Sequence, residues 1–185
     1  FITLGTKGVP NGPGVVLCRS EDRFKFVDHL KPHTPGASRS NILRLGHNFQ
    51  VDLRSGTAWR HRINKVSFSR RPIHWESCAD PILKSTKFNW IEKIIGSPDR
   101  LFNIDTNLIR NLRPLVGKGP GLTPLGDDFI VGVAAGIETH PECHGIISNW
   151  LTSMHKNTTE LSGRALYHAA HGSFIEPIVE FVNSI

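Results

Sequence analysis

Residues 117–136 read GKGPGLTPLGDDFIVGVAAG, and this stretch decides the fold that the sequence predicts. Glycines alternate with other residues at positions 117, 119 and 121, so the backbone there can adopt positive φ angles and approach a ligand closely. A run of small apolar residues follows, which is typical of a helix that enters the protein interior. The stretch therefore predicts a buried helix preceded by a polar, glycine-rich loop.

The start of this central helix can be placed from residue types. We expect Thr123 to be its N-cap and Pro124 to occupy the first helical position, where the missing N–H of proline costs nothing. The two carboxylates of residues 127 and 128 then fall in or just after the first turn. Gly132 and Gly136 lie one turn apart on the same face, which predicts close packing against another backbone.

The glycine-rich loop offers two kinds of ligand chemistry. Free N–H groups and the helix dipole favour an anion such as phosphate or carboxylate, and Lys118 could neutralise it. Asp127 and Asp128 favour a cation such as Mg²⁺ or an N–H donor. The structural alternative is a glycine turn that enters a tightly packed helix, with both carboxylates only complementing the helix dipole.

The segment GPGLTPLGDDFIVGVAAG, residues 119–136, resembles the GPGLTPSGDD-type signature of the oxamate carbamoyltransferase subunit family of the AllH type. Two further stretches are similar to that family. They are an early NGP turn, residues 10–13, and the segment TTELSGRALYHAAHGSF, residues 158–174.

The resemblance implies reversible transfer of a carbamoyl group between phosphate and oxamate, in the allantoin branch of purine degradation. It also implies an assembly of several different subunits, so the expected partners are a small anionic substrate and the other subunits of that complex. On this resemblance, catalysis is assigned to Asp127, Asp128 and Lys118, and the two aspartates could bind a Mg²⁺ ion. The expected substrate-binding residues are Asn11, Gly12, Gly119, Gly121, Thr123, Gly126 and Ser162.

The alternative function is a non-catalytic subunit that binds an anion or contributes structure to a larger complex. Leu125 stands where the signature has a small hydroxylated residue, which removes a hydrogen-bond donor from the loop. Members of the family are also longer, so we expect this chain to be a fragment or a shortened member.

Other constellations carry less weight. His140 with His144, and His168 with His171, have the spacing of metal ligands on a helix, but neither pair has a third ligand nearby in sequence. Ser162 with His168, or Cys143, could form a nucleophilic pair, but no nucleophile turn surrounds them. We therefore predict no metal site at either histidine pair.

Composition and charge bound the class of protein. The 185 residues are 38% hydrophobic and carry a net charge of +6. No apolar run approaches the ~18 residues that cross a membrane, and three widely separated cysteines favour a reducing compartment. We expect a cytoplasmic protein with no membrane partner.

Much of the positive charge lies in residues 54–71, where Trp59 and Phe68 alternate with arginines and a lysine. Such a segment can bind a nucleic-acid strand. A strand with one charged face, an anionic substrate or an acidic partner would explain it equally. Nucleic acid is therefore not the partner that we predict.

The pattern as a whole predicts an α+β protein, with a β-rich lobe at residues 1–79 and a helical lobe at 80–185, in one compact domain. Strands are expected at 1–4 and 15–18 in a hairpin-like unit, and at 42–45, 49–53 and 63–68, with a loop over 32–41. Helices are expected at 21–30, 80–95, 105–113, 123–136, 139–151, 159–171 and 173–182. Capping boxes at Thr139 and Ser173 would open two of them.

Overall fold

The computed structural model describes residues 3–5, 9–18, 35–47, 49–59, 63, 106–138 and 141–184. The chain divides into two compact units, Phe1–Arg60 and His61–Ile185. The described strands lie in the first unit and the described helices in the second, so the predicted α+β class is confirmed. The predicted helices at 21–30 and 80–95, most of the strand at 63–68 and the lobe boundary near residue 79 lie outside the described residues.

The first two strands of the first unit run in the same direction. Strand β1 (Thr3–Gly5) pairs in parallel with β2 (Val15–Leu17), so the predicted hairpin-like pairing is wrong. The reason is the position of the turn, in which the N–H of Val15 donates to the carbonyl of Gly12 at 3.1 Å. Proline and then Gly14, with φ of 74°, fill its central positions, as in a type II turn. This turn leads directly into β2 and does not join two antiparallel neighbours.

A second sheet of the first unit contains β3 (Gly36–Arg39), β4 (Ile42–Leu45) and β5 (Phe49–Asp52) in antiparallel order. The predictions for β4 and β5 are confirmed, whereas β3 replaces part of the predicted loop. Ser40 and Asn41 connect β3 to β4 with φ angles of 51° and 63°. Two successive positive φ angles are what a tight hairpin turn requires. All four residues of β3 are exposed, so no hydrophobic alternation marks this strand in the sequence.

The described helices of the second unit confirm the corresponding predictions, with ends that differ by a few residues. They are α1 (Thr106–Leu112), α2 (Leu125–Ile137), α3 (Pro141–Met154), α4 (Glu160–Ala170) and α5 (Glu176–Ser184). A short 3-10 helix, Arg113–Leu115, follows α1 where proline prevents the α-helix from continuing.

The core of the second unit forms where α4 packs against both α2 and α3. Its apolar side chains become inaccessible to water, each contributing roughly 1.5–3 kcal/mol to stability. Leu161 on α4 lies outside this core and is 38% exposed. The largest fully buried apolar residues are Leu112, Leu115, Ile130, Leu151, Leu166, Phe174 and Val179.

The junction between α4 and α5 explains why the predicted cap at Ser173 is wrong. The N–H of Ser173 donates to the carbonyl of His168 at 2.9 Å, and the N–H of Gly172 donates to Ala169 at 3.0 Å. With Gly172 at φ of 68°, these two bonds close the C-terminus of α4 in a Schellman motif. Ser173 therefore belongs to the end of α4, and α5 begins three residues later at Glu176. The predicted cap at Thr139 lies outside the described residues.

Candidate functional site

The glycine loop, residues 117–123, connects the 3-10 helix to α2. Gly117, Gly119 and Gly121 have φ angles of 69°, 102° and 112°, in the left-handed region that disfavours side chains. Residues 118–122 are exposed, and Leu122 is 81% exposed. The loop is thus accessible to a ligand, and its backbone adopts conformations that depend on glycine.

Asp127, in the first turn of α2, anchors the glycine loop. Its side chain is 1% exposed, and its Oδ1 accepts the N–H of Gly117 at 2.9 Å. Its Oδ2 accepts the hydroxyl of Thr158, which lies in the connection between α3 and α4. A buried carboxylate needs donors for its oxygens, and here both oxygens have one. The arrangement makes Asp127 an anchor between two loops, and its predicted catalytic role remains a prediction.

Asp128 has a different environment from its neighbour. The residue is exposed, and its Oδ2 accepts the hydroxyl of Thr123 at 3.1 Å. Partial burial of the carboxyl raises its pKa and the adjacent charge of Asp127 adds to this, while the bond from Thr123 acts in the opposite direction. Of the two aspartates, Asp128 is the one that a ligand could reach.

The same contact shows that the predicted N-cap is wrong. The hydroxyl of Thr123 donates to a carboxylate and does not accept a backbone N–H. Pro124, with φ of −52° and ψ of 130°, is the N-cap, and α2 begins at Leu125. The carbonyl of Pro124 accepts the N–H groups of both aspartates, at 2.9 and 3.3 Å. The predicted helix start is therefore one residue early, while both aspartates lie in the first turn as expected.

Gly126 is required for close packing at the start of α2. A Cβ atom on this residue would lie 2.2 Å from the carbonyl oxygen of Leu115. Its N–H donates to the carbonyl of Lys118 at 2.9 Å, which fastens the glycine loop to the helix. A side chain at this position would push the loop away from the helix.

The close packing predicted at Gly132 and Gly136 is wrong. Within the described part of the chain, a Cβ atom on either residue would meet no heavy atom within 4 Å, because both lie on the exposed face of α2. Gly163 on α4 has the close contact instead. A Cβ atom there would lie 2.2 Å from the carbonyl oxygen of His155.

Ser162 lies in the first turn of α4 and is connected to the glycine loop through Thr159. The Thr159 hydroxyl caps α4 by accepting the N–H of Ser162 at 3.3 Å, and it donates to the carbonyl of Leu122 at 3.4 Å. Ser162 itself is 1% exposed. Its hydroxyl has no hydrogen-bond partner among the residues that the structure describes.

Asn11 and Gly12 belong to the first unit. Gly12 is buried, and its carbonyl forms the turn before β2 described above. Their participation in a site with the glycine loop stays a prediction.

A cleft of about 560 Å³ opens beside the Thr158 anchor point, between the end of α3 and α4. We call it the basic cleft, and its lining residues are His155, Lys156, Thr158, Glu160, Gly163, Arg164 and Tyr167. None of them was predicted as a site residue. Several belong to the 158–174 segment that carries the family resemblance, but nothing in their spacing marks the two cations as neighbours.

Of the two histidine pairs, His168 and His171 both lie within the described residues, whereas His140 does not. Among the described residues there is no group of three or more His, Cys, Asp or Glu that could hold a metal ion. Nε2 of His144 lies 2.9 Å from a carboxylate oxygen of Glu138, and Nδ1 of His171 contacts the carbonyl of Tyr167 at 2.7 Å. Burial lowers the pKa of His168, and the charges of Arg164 and His171 lower it further.

Arg54, at the start of the basic segment 54–71, forms an ion pair with Asp52. In the described start of the basic segment, Nε of Arg54 donates to Oδ1 of Asp52 at 2.9 Å. This bond and the positive charge lower the pKa of Asp52 to about 2, so the charge of Arg54 is already paired.

No described helix combines the length and apolarity needed to span a membrane.

In the helical unit, a glycine loop that is held by a buried carboxylate therefore precedes an interior helix. Residues 115–185 match the model of the family described as oxamate carbamoyltransferase subunit AllH. The match contains the glycine loop, α2 and the basic cleft, so the resemblance carried by residues 119–136 and 158–174 is confirmed over this part of the chain. No curated protein and no solved structure matches the chain.

Proposed function

We propose that this chain is a subunit of a carbamoyltransferase that acts on oxamate and carbamoyl phosphate, or on a similar small carboxylate amide. The family match over residues 115–185 supports this proposal. The observation that carries it is the exposed glycine loop, whose conformation is maintained by the bond from Gly117 to the buried Asp127. In the reaction, the substrate nitrogen bonds to the carbamoyl carbon and loses a proton as the carbon–oxygen bond to phosphate breaks.

The hydrogen bonds of the loop indicate which donors would face a ligand. The N–H of Gly117 is used by Asp127, and the N–H of Lys118 donates to the carbonyl of Leu115 at 3.0 Å. The N–H groups of Gly119 and Gly121 have no acceptor among the described residues. Together with the exposed ammonium of Lys118, they would stabilise the phosphate and the negative charge that develops on the carbamoyl oxygen.

The two aspartates receive different roles in this proposal. Asp128 is accessible, and its raised pKa suits a group that accepts a hydrogen bond or a proton from the substrate nitrogen. Asp127 is a positioning residue, because its oxygens hold the two loops. Asp128 is also the aspartate to which Mg²⁺ would have access, although a single carboxylate holds this ion only with help from substrate oxygens.

The test is phosphate release from carbamoyl phosphate and oxamate by the chain together with its partner subunits. Lys118→Met and Asp128→Asn should each lower the rate by about 100-fold, since each removes a group that acts on developing charge. Arg110→Met, which removes an exposed cation from α1, is the matched control and should leave the rate unchanged. Release that is unaffected by both site variants would remove the assigned site.

A second candidate is a non-catalytic subunit that binds an anion or supports a larger complex. The burial of Asp127 favours it, because a carboxylate with two internal donors can exist for structural reasons alone. Titration with phosphate, carbamoyl phosphate and oxamate separates the two functions. Saturable binding without turnover, with all partner subunits present, would establish the non-catalytic subunit.

A further inference from the structure

We propose that the basic cleft is a binding site for a small oxyanion, a carboxylate or a phosphate, and that Lys156 and Arg164 bind it. This inference rests on the proposed function for the identity of the ligand and on the geometry of the cleft for the site itself. At about 560 Å³, the cleft is within the range of small-molecule sites.

The two cations of the basic cleft come from different elements. Lys156 follows α3 and Arg164 lies on α4, and both are exposed. Neither side chain forms an ion pair or a hydrogen bond with any residue in the described part of the chain. Among the lining residues that the structure describes, Glu160 is the one carboxylate, so the two cations give these residues a net positive charge. Such a concave, positively charged surface attracts anions, and a guanidinium can bind two oxyanion atoms at once.

The ring of His155 also lines the basic cleft. Its Nδ1 lies 2.6 Å from the carbonyl oxygen of Thr152, and a carbonyl only accepts, so Nδ1 carries a proton. This leaves Nε2 to accept a hydrogen bond in the neutral ring and to donate one in the protonated ring. The ring is held edge-to-face against Tyr167, with centroids 5.7 Å apart. These two contacts hold the ring of His155 without using Nε2.

The basic cleft is connected with the glycine loop through hydrogen bonds. Thr158 lines the cleft and donates to Asp127, which accepts the N–H of Gly117. The two loops also touch directly, because a Cβ atom on Gly117 would lie 3.0 Å from the carbonyl oxygen of Asn157. An oxyanion in the cleft would thus lie beside the segment that supports the glycine loop. Binding in the cleft and the conformation of that loop should stabilise each other.

The experiment is calorimetric titration of the full chain with phosphate and, separately, with oxamate, at constant ionic strength. The double variant Lys156→Met/Arg164→Met keeps the aliphatic stems and removes both charges. We expect it to weaken binding of the preferred anion at least about 10-fold, as for loss of charge-assisted hydrogen bonds. The matched control is Arg110→Met/Arg113→Met, which removes two exposed cations outside the cleft and should change the affinity less than about twofold.

The two titrations identify the chemical class of the oxyanion. Tighter binding of phosphate would indicate a phosphoryl ligand, and tighter binding of oxamate would indicate a carboxylate. If both double variants weakened anion binding equally, the cleft would be rejected as the site, because only the overall positive charge of the protein would then matter. Lack of saturable binding to either anion would also overturn it. Normal binding and turnover by Lys156→Met/Arg164→Met would reject the cleft but not the proposed function. Cleft-dependent binding by an assembly that does not turn over would reject the proposed function and keep the cleft.

Discussion

The hydroxyl of Thr158 donates a hydrogen bond to Oδ2 of Asp127, a residue that precedes it by 31 positions. Through the other oxygen, the same carboxylate holds the N–H of Gly117. One buried side chain therefore connects the glycine loop, the first turn of α2 and the rim of the basic cleft. The two aspartates of the signature differ in position, because Asp127 lies inside the protein and Asp128 lies at its surface.

The first prediction concerns stability at this connection. Asp127→Ala should lower the free energy of unfolding by about 3 kcal/mol or more, because the N–H of Gly117 and the hydroxyl of Thr158 lose a charged acceptor in a buried place. Urea unfolding measures the change. Asp128→Ala, one position along the same helix turn, is the control and should cost less than about 1 kcal/mol. Equal losses in the two variants would contradict the anchoring role of Asp127.

The second prediction compares two glycines in the same helix. Gly126→Ala should destabilise the protein by about 2 kcal/mol or more, since its new methyl group would overlap the carbonyl of Leu115 at the 2.2 Å separation found for a Cβ atom. Gly132→Ala should stabilise it by about 0.5–1 kcal/mol, because the methyl group has open space and alanine favours the helix. Thermal unfolding of both variants tests this. A loss at Gly132 would mean that another part of the chain or a partner covers this face.

The third prediction is a pH dependence at Asp128. Burial raises the pKa of its carboxyl above the ordinary value of 3.8, so the folded protein binds this proton more tightly than the unfolded chain does. The resulting stabilisation is fully present below pH 3.8 and is lost as the pH rises through the folded pKa. Asp128→Asn keeps an acceptor for Thr123 but does not titrate. The stability of the wild-type protein relative to this variant should therefore fall across that pH window.

Unfolding of both proteins at a series of acidic pH values provides the measurement. A carbon-detected NMR titration of the carboxyl group gives the folded pKa directly. A difference in stability that stays constant with pH, or that grows as the pH rises, would show that the carboxyl is not desolvated.

The fourth prediction concerns His168, whose pKa is lowered by burial and by the charges of Arg164 and His171. A depressed histidine pKa contributes stability that is present above the ordinary value of 6.5 and is lost as the pH falls through the folded pKa. Arg164→Met removes one of the opposing charges, so the pKa of His168 should move up toward its ordinary value. Proton NMR of the imidazole ring checks this. Arg113→Met is the control and should leave the titration in place.

Much of the helical unit was predictable from local patterns. The helices from residue 106 onward show the expected apolar spacing, and the alternating glycines indicated a loop with positive φ angles. Two predicted helix starts failed because the capping residue has a competing role in the folded protein. Ser173 has the spacing of a cap for α5 but completes the end of α4, and Thr123 has the chemistry of an N-cap but donates to Asp128.

The sequence by itself determined the α+β class, the glycine loop, the interior helix and the family signature, because these depend on backbone preferences and on apolar period. Only the tertiary structure decided which aspartate is buried, which glycines are needed for packing and which cations share a cleft. Those properties depend on contacts between residues far apart in the chain, such as Thr158 with Asp127 and Gly117 with Asn157. Residue types along the chain do not predict such contacts. Asp127 and Asp128 are the same amino acid in adjacent positions, yet the first is buried and the second is exposed.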